Sequence, residues 1–159
     1  MRIVPEAKLR ALLGARPGLP RVVAGGNFAT PWQALATLDA AVAEYRLFML
    51  NAQAGVPDRD GVTLESPFVG PGMRGRERLR YFPGRLSLIP VMLAGPLPPD
   101  IVLVQTSMPT GGTVSLGTEV NVLPAAIGDG PLPWRAGDRA DQPEHALHLR
   151  RRGAAGGGD

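Results

Sequence analysis

The chain has 159 residues, 44% of them apolar and 19% charged, which suffices for one domain with a core of its own and argues against disorder. It has no cysteine, so disulfides and thiolate metal sites are excluded and an oxidising compartment has no support. The net charge of +3 suits an anionic ligand, small or polymeric, and by itself separates neither.

The first residues, MRIVPEAKLRALLGARPG, alternate charge with apolar side chains and contain no long apolar run, so they do not read as a secretory signal. The spacing of Ala7, Leu9, Leu12 and Leu13 predicts a helix over 5–13 that stops at Gly14. Arg21 to Ala24 predicts a strand that runs into a tight turn at Gly25-Gly26-Asn27. Thr30 then offers an N-cap and Pro31 a first-turn residue. Trp32, Leu35, Leu38, Ala41, Val42 and Tyr45 follow at helical spacing, and Arg46 to Leu50 predicts a second buried strand. Residues 21–50 therefore carry a βαβ signature. Phe28 and Trp32 are expected in the core.

From Asn51 to Gly75 the composition predicts a long loop with one short helix or strand over 63–69. A strand is predicted at 79–82 and a short helix at 87–93. The apolar stretch over 86–99 is interrupted by Pro90, Gly95 and Pro96, too short and too broken to span a bilayer. Ile101 to Val104 is the clearest buried strand. A glycine turn is expected at Gly111-Gly112, a strand over 113–116 and a helix starting within 120–127. Residues 128–159 show no apolar period and end in Arg150-Arg151-Arg152 and a Gly/Ala-rich tail, so no regular structure is assigned to them.

Three segments resemble the amino-terminal domain of the acetyl-CoA hydrolase/CoA-transferase family, which includes acetate and 4-hydroxybutyrate CoA-transferases. They are RVVAGGNFATPWQAL at 21–35, YFPGRLSLIP at 81–90 and PDIVLVQTSMPTGGTVSLGTEVN at 99–121. They stand in the family's order and rough spacing, and the likeness covers residues 16–127. It implies an α/β fold of three layers: a mostly parallel sheet with flanking helices, CoA-transferase-like and so Rossmann-like. The domain reading is an incomplete CoA-transferase domain over 1–127 and an irregular tail over 128–159.

The resemblance further implies a glutamate nucleophile that attacks an acyl-CoA and passes through a glutamyl-CoA thioester, the CoA then going to an acid acceptor or the intermediate to water. In the family this glutamate lies in a carboxyl-terminal domain, and nothing here matches it, so no catalytic residue is assigned. Glu119 is the tempting substitute, but a residue after the Ser-Leu-Gly turn is better suited to capping or orienting a loop. Gly25, Gly26, Asn27, Gly111, Gly112, Ser115 and Gly117 are the candidate ligand-binding residues. Turn glycines at strand ends let a thioester or a CoA phosphate approach the backbone, though any one of them is equally a plain turn glycine.

Coenzyme A is then a co-substrate, with no permanently bound cofactor. The expected partners are an acyl-CoA and a short-chain carboxylate, without membrane or nucleic acid, in the cytoplasm. The missing domain is expected on a separate chain, or in a longer homodimeric enzyme of which this chain is an inactive fragment. The tail departs from the family's pattern. Read one nucleotide later, with permitted codons, it can encode an apolar strand and the Asn-x-x-Met-Pro loop that the family has there. His145 before Ala146 then allows only Met or Thr, and Asp141 before Gln142 only Ile or Thr. A frameshift after Ile127 is the expectation.

Other motifs weigh less. Gly70-Pro71-Gly72-Met73-Arg74-Gly75 matches a dinucleotide fingerprint by letters, but Pro71 and the lack of a clear preceding strand favour a loop. Arg74, Arg76, Arg78, Arg80 and Arg85 form a basic cluster. It is the basis of the alternative reading, a non-catalytic nucleotide- or nucleic-acid-binding module, although few aromatics are interleaved with it. His145 and His148 lack partners for a metal site, and Ser107 and Ser115 lack a histidine for a triad.

Overall fold

The computed structural model describes residues 2–110, 113–128, 135–137 and 146–149, the last two stretches and 2–4 by their backbone. In chain order the elements are β1 (Arg2–Val4), α1 (Glu6–Gly14), β2 (Arg21–Ala24), α2 (Trp32–Ala41), β3 (Tyr45–Phe48), β4 (Val62–Ser66), β5 (Leu79–Tyr81), α3 (Ile89–Ala94), β6 (Ile101–Val104), α4 (Leu123–Ile127), β7 (Arg135–Gly137) and β8 (Ala146–Leu149). A 3-10 turn, Leu86–Leu88, leads into α3.

Strands β6-β2-β3-β4-β5 form a five-stranded, all-parallel sheet in that spatial order. Beyond β6 the sheet continues with β8 antiparallel, then β7, then β1 parallel to β7. β7 and β8 fall in the segment for which the sequence predicts no regular structure. The remainder of 129–159 lies outside the described residues.

The layering follows from strand alternation. One face of the sheet presents Val22, Ala24, Leu47, Leu64, Ile101 and Leu103 to Leu9 and Leu13 of α1 and to Ala34, Leu35 and Leu38 of α2. The other presents Val23, Phe48, Val102 and Val104 to Ile89 and Leu93 of α3 and to Leu123 and Ala126 of α4. β2 and β6 are buried along their whole length, because helices cover both faces. That second face also holds a buried ion pair. Arg21 Nε and Nη2 donate to the Glu65 carboxylate at 2.8 and 3.3 Å.

Several local expectations change. α2 ends at Ala41, so Tyr45 opens β3 instead of closing the helix. The reason lies about twenty residues on. The Arg59 guanidinium donates to the carbonyls of Asp39, Val42 and Ala43 at 2.7–2.9 Å and to Asp39 Oδ1 at 2.9 Å, closing the helix at its carbonyl end. Tyr45 donates its hydroxyl to the same Asp39 carboxylate at 2.8 Å. Burial, first, and then that carboxylate hold the phenol well above its ordinary pKa.

At the other end of α2 the N-cap is Pro31, and Thr30 donates its hydroxyl to the Asn27 carbonyl at 3.3 Å instead of capping the helix. Phe28 and Trp32 are not core residues: they are 96% and 43% exposed. Asn27 turns the chain with a φ of 46°, leaving Phe28 at the turn's tip, and Trp32 lies against the open site of Gly55. Residues 113–116 form no strand. Thr110 and Thr113 make a single antiparallel bridge, and α4 starts at Leu123. Among the described residues no helix is long and apolar enough to cross a membrane.

Candidate functional site

From β2 the chain steps outward through β3, β4 and β5, then returns to the opposite side of β2 as β6. The strand order therefore reverses between β2 and β6. In open parallel sheets the crevice beyond the carboxyl ends of the strands at such a reversal is where ligands bind, because the two following loops diverge there. The loop after β2 is Gly25-Gly26-Asn27, and the loop after β6 runs from Gln105 to Asn121.

The turn after β2 is pressed hard against its neighbours. The Gly25 N–H donates to the Leu103 carbonyl of β6 at 3.3 Å. A Cβ on Gly26 would lie 1.8 Å from the Leu50 carbonyl oxygen, so no side chain is possible there. Asn27 is left-handed at φ 46°, and so is Asn51, at 48°, just beyond β3. Their side chains meet, Asn51 Nδ2 donating to Asn27 Oδ1 at 2.5 Å. The Asn27 N–H donates to the Asn51 carbonyl at 3.3 Å, and Gln53 Nε2 donates to that carbonyl at 3.0 Å. The Asn51 N–H in turn donates to the Phe68 carbonyl, after β4, at 2.8 Å. A line of amides thus crosses the carboxyl ends of three adjacent strands.

Glu119 comes down onto this line from the loop after β6. It is 2% exposed, and its Cγ lies 3.7 Å from where a Gly25 Cβ would stand. Burial pushes its carboxyl above the usual carboxylate range, opposed by the Asn27 side chain and the Gly26 N–H, which favour the anion. Its Oε2 is buried and has no hydrogen-bond partner. A carboxyl so placed holds its proton to higher pH and ties the loop after β6 to the turn after β2.

The candidate residues are distributed as follows. Gly25, Gly26 and Asn27 come together with Glu119 at the strand-order reversal. Gly111 and Gly112 lie outside the described residues. Ser115 and Gly117 are exposed, and their bonds stay within their own loop. Ser115 N–H donates to Ser107 Oγ at 3.0 Å, Ser107 N–H to the Ser115 carbonyl at 2.9 Å and Gly117 N–H to Ser115 Oγ at 3.1 Å. Asn51 and Gln53 escape sequence reasoning. The signal for Asn51 was its place directly after an apolar run, the position Asn27 nearly holds after β2. Of the basic cluster, Arg76 pairs with Asp58 at 3.0 Å and Arg78 with Asp60, so part of its charge is already neutralised. His148 sits on β8 instead of a helix, and His145 lies outside the described residues.

No protein-family model, curated protein or solved structure matches the chain.

Proposed function

We propose that this chain is the amino-terminal part of an acyl-CoA:carboxylate CoA-transferase or acyl-CoA hydrolase, acting in the cytoplasm on an acyl-CoA and a short-chain carboxylate. One observation carries the reading. Two of the segments that bear the family resemblance, 21–35 and 99–121, are separated by more than sixty residues, yet they meet at the reversal of strand order, with Glu119 on Gly25 and Gly26. The third segment, 81–90, supports them from below. Phe82 stacks on Phe48 at 5.9 Å between ring centroids, and Ile89 is fully buried beside Val23 and Val102.

In this reading the chain supplies the wall of the site and a second domain supplies the nucleophilic glutamate. Glu119 is not assigned that role, since it is 2% exposed and engaged by the Asn27 side chain and the Gly26 N–H. The turn after β2 would receive the thioester or the acceptor carboxylate. Glycine at 25 and 26 leaves the turn without side chains, which lets a small acyl group come close to it from the crevice.

Calorimetric titration with CoA and acetyl-CoA tests the proposal, with a single-stranded oligonucleotide as comparison. CoA binding to the folded chain that Asn51→Gly weakens, by removing the side-chain contact that holds Asn27, is the expected result. Salt-sensitive oligonucleotide binding without any response to CoA would refute it in favour of a nucleic-acid module.

A further inference from the structure

A second site lies along the same edge of the sheet, beyond β4 and β5. There the strand ends and the loop joining them border an open concavity of about 440 Å³. We propose that this concavity binds a nucleotide, with the base on the rings of Phe68 and Tyr81 and the phosphate at Arg74.

The argument begins with two aromatic side chains left in water. Phe68 is 49% exposed and Tyr81 58%, and both line the concavity. Their exposure is not the result of a loose loop. Ser66 Oγ accepts from the Phe68 N–H at 3.1 Å and donates to the Phe68 carbonyl at 2.8 Å, and the Asn51 N–H donates to that same carbonyl. Farther along, Gly72 N–H donates to the Ala52 carbonyl at 2.8 Å, and Met73 is fully buried in the core. A Cβ on Gly72 would stand 2.0 Å from the Gln53 carbonyl oxygen, so this part of the loop lies directly on the 51–53 backbone. Tyr81 ends β5, in register with Ser66. The backbone that carries the two rings is therefore held in place before any ligand arrives, which lowers the cost of ordering the loop on binding.

The floor of the concavity is apolar, from Val69 and Leu79, and Arg74 is the one charged residue among the described residues that line it. Arg76 and Arg78 are engaged by Asp58 and Asp60, whereas Arg74 is exposed and has no carboxylate partner among the described residues. Among the described residues no carboxylate lines the concavity. Rings, an apolar floor and one unengaged guanidinium together fit a planar base that carries phosphate. Stacking on aromatic rings tolerates any base, and a guanidinium binds phosphate with two parallel N–H donors.

The site does not depend on acyl transfer, because its probe, ADP, contains no thioester. ADP, adenosine and inorganic pyrophosphate are titrated calorimetrically against the full chain and against Phe68→Ala and Arg74→Ala. ADP binds the wild type, and Phe68→Ala weakens it roughly tenfold through lost stacking. Arg74→Ala also weakens ADP roughly tenfold, leaves adenosine unchanged and removes the dependence on salt. Arg74 is exposed and Phe68 is 49% exposed, so the unfolding midpoint of Arg74→Ala matches the wild type's, that of Phe68→Ala falls only slightly, and binding is compared well below both midpoints. Absence of ADP binding to folded wild type overturns the proposal, as does ADP binding indifferent to both substitutions. Oligonucleotide binding without ADP binding overturns it too. ADP binding that follows the expected pattern stands even where CoA fails to bind at the Gly26 turn.

Discussion

Replacing Glu119 with Gln is expected to make the protein more stable at pH 8 and to leave it unchanged near pH 4. Burial raises the folded-state pKa of this carboxyl above its ordinary value of 4.5. As pH rises past that value the unfolded chain releases the proton first, while the folded chain still holds it. The group's stabilising contribution is thus complete below about 4.5 and is lost as pH rises through the folded-state pKa. Gln has the shape of the neutral acid and does not titrate, so Glu119→Gln fixes the low-pH condition at every pH. The scale is that of a buried oxygen left without a partner, about 1–3 kcal/mol, since Oε2 has none and the side chain is 2% exposed. Urea unfolding of both proteins from pH 4 to pH 8 isolates this one group, because every other titration is common to both. A stability difference that grows with pH and then levels off is expected. A difference that stays constant across the range, or that favours wild type at pH 8, would refute the argument.

Glu119→Ala removes the acceptor for the Gly26 N–H and the Asn27 amide, and should cost about 1–3 kcal/mol in the same urea assay at pH 4. Gly26→Ala forces its Cβ into the Leu50 carbonyl and should destabilise by more than about 2 kcal/mol, or prevent folding, as read from thermal melts. Arg59→Ala deprives the end of α2 of its three carbonyl contacts. A loss of about 1–2 kcal/mol is expected, with faster amide exchange at Val42 as the local signature. Glu65→Gln leaves the Arg21 guanidinium buried without its counter-charge and should cost about 3–5 kcal/mol, whereas replacing Arg21 and Glu65 together by Met and Leu should recover most of that loss.

The sheet was legible because its strands are buried on both faces. RVVA and IVLV have few readings other than central strands, and each ends in glycine or polar residues that force a turn. The first two helices followed from the spacing of Leu9 with Leu13 and of Leu35 with Leu38, whereas the three layers were expected from the family resemblance. What could not be read depends on partners distant in sequence. The end of α2 is set by Arg59, and no pattern within 32–45 announces it. Trp32 keeps the helical period, but it stands at the first position of the helix, above Gly55, so its ring misses the core. The same limit applies at the site. Gly25, Gly26 and Asn27 were visible as a turn, while Glu119 was visible only as an acid after another turn. That they touch follows from β2 lying beside β6, which no local pattern encodes.

The polar line at the strand ends connects the two proposed sites. Glu119 leans on Asn27, Asn27 exchanges hydrogen bonds with Asn51, and the Asn51 N–H holds the carbonyl of Phe68. Both asparagines are left-handed, a conformation asparagine accepts more readily than most residues, so each serves at once as turn and as side-chain partner. Asn51 is the hinge between the sites. Its side chain serves the turn after β2, and its backbone serves the aromatic loop after β4. Asn51→Gly keeps the backbone conformation and the Phe68 bond and removes only the side-chain contact with Asn27. It should therefore weaken CoA at the Gly26 turn and spare ADP at Phe68. If both ligands weaken together, the side chain does more than anchor Asn27, and the two loops respond as one unit.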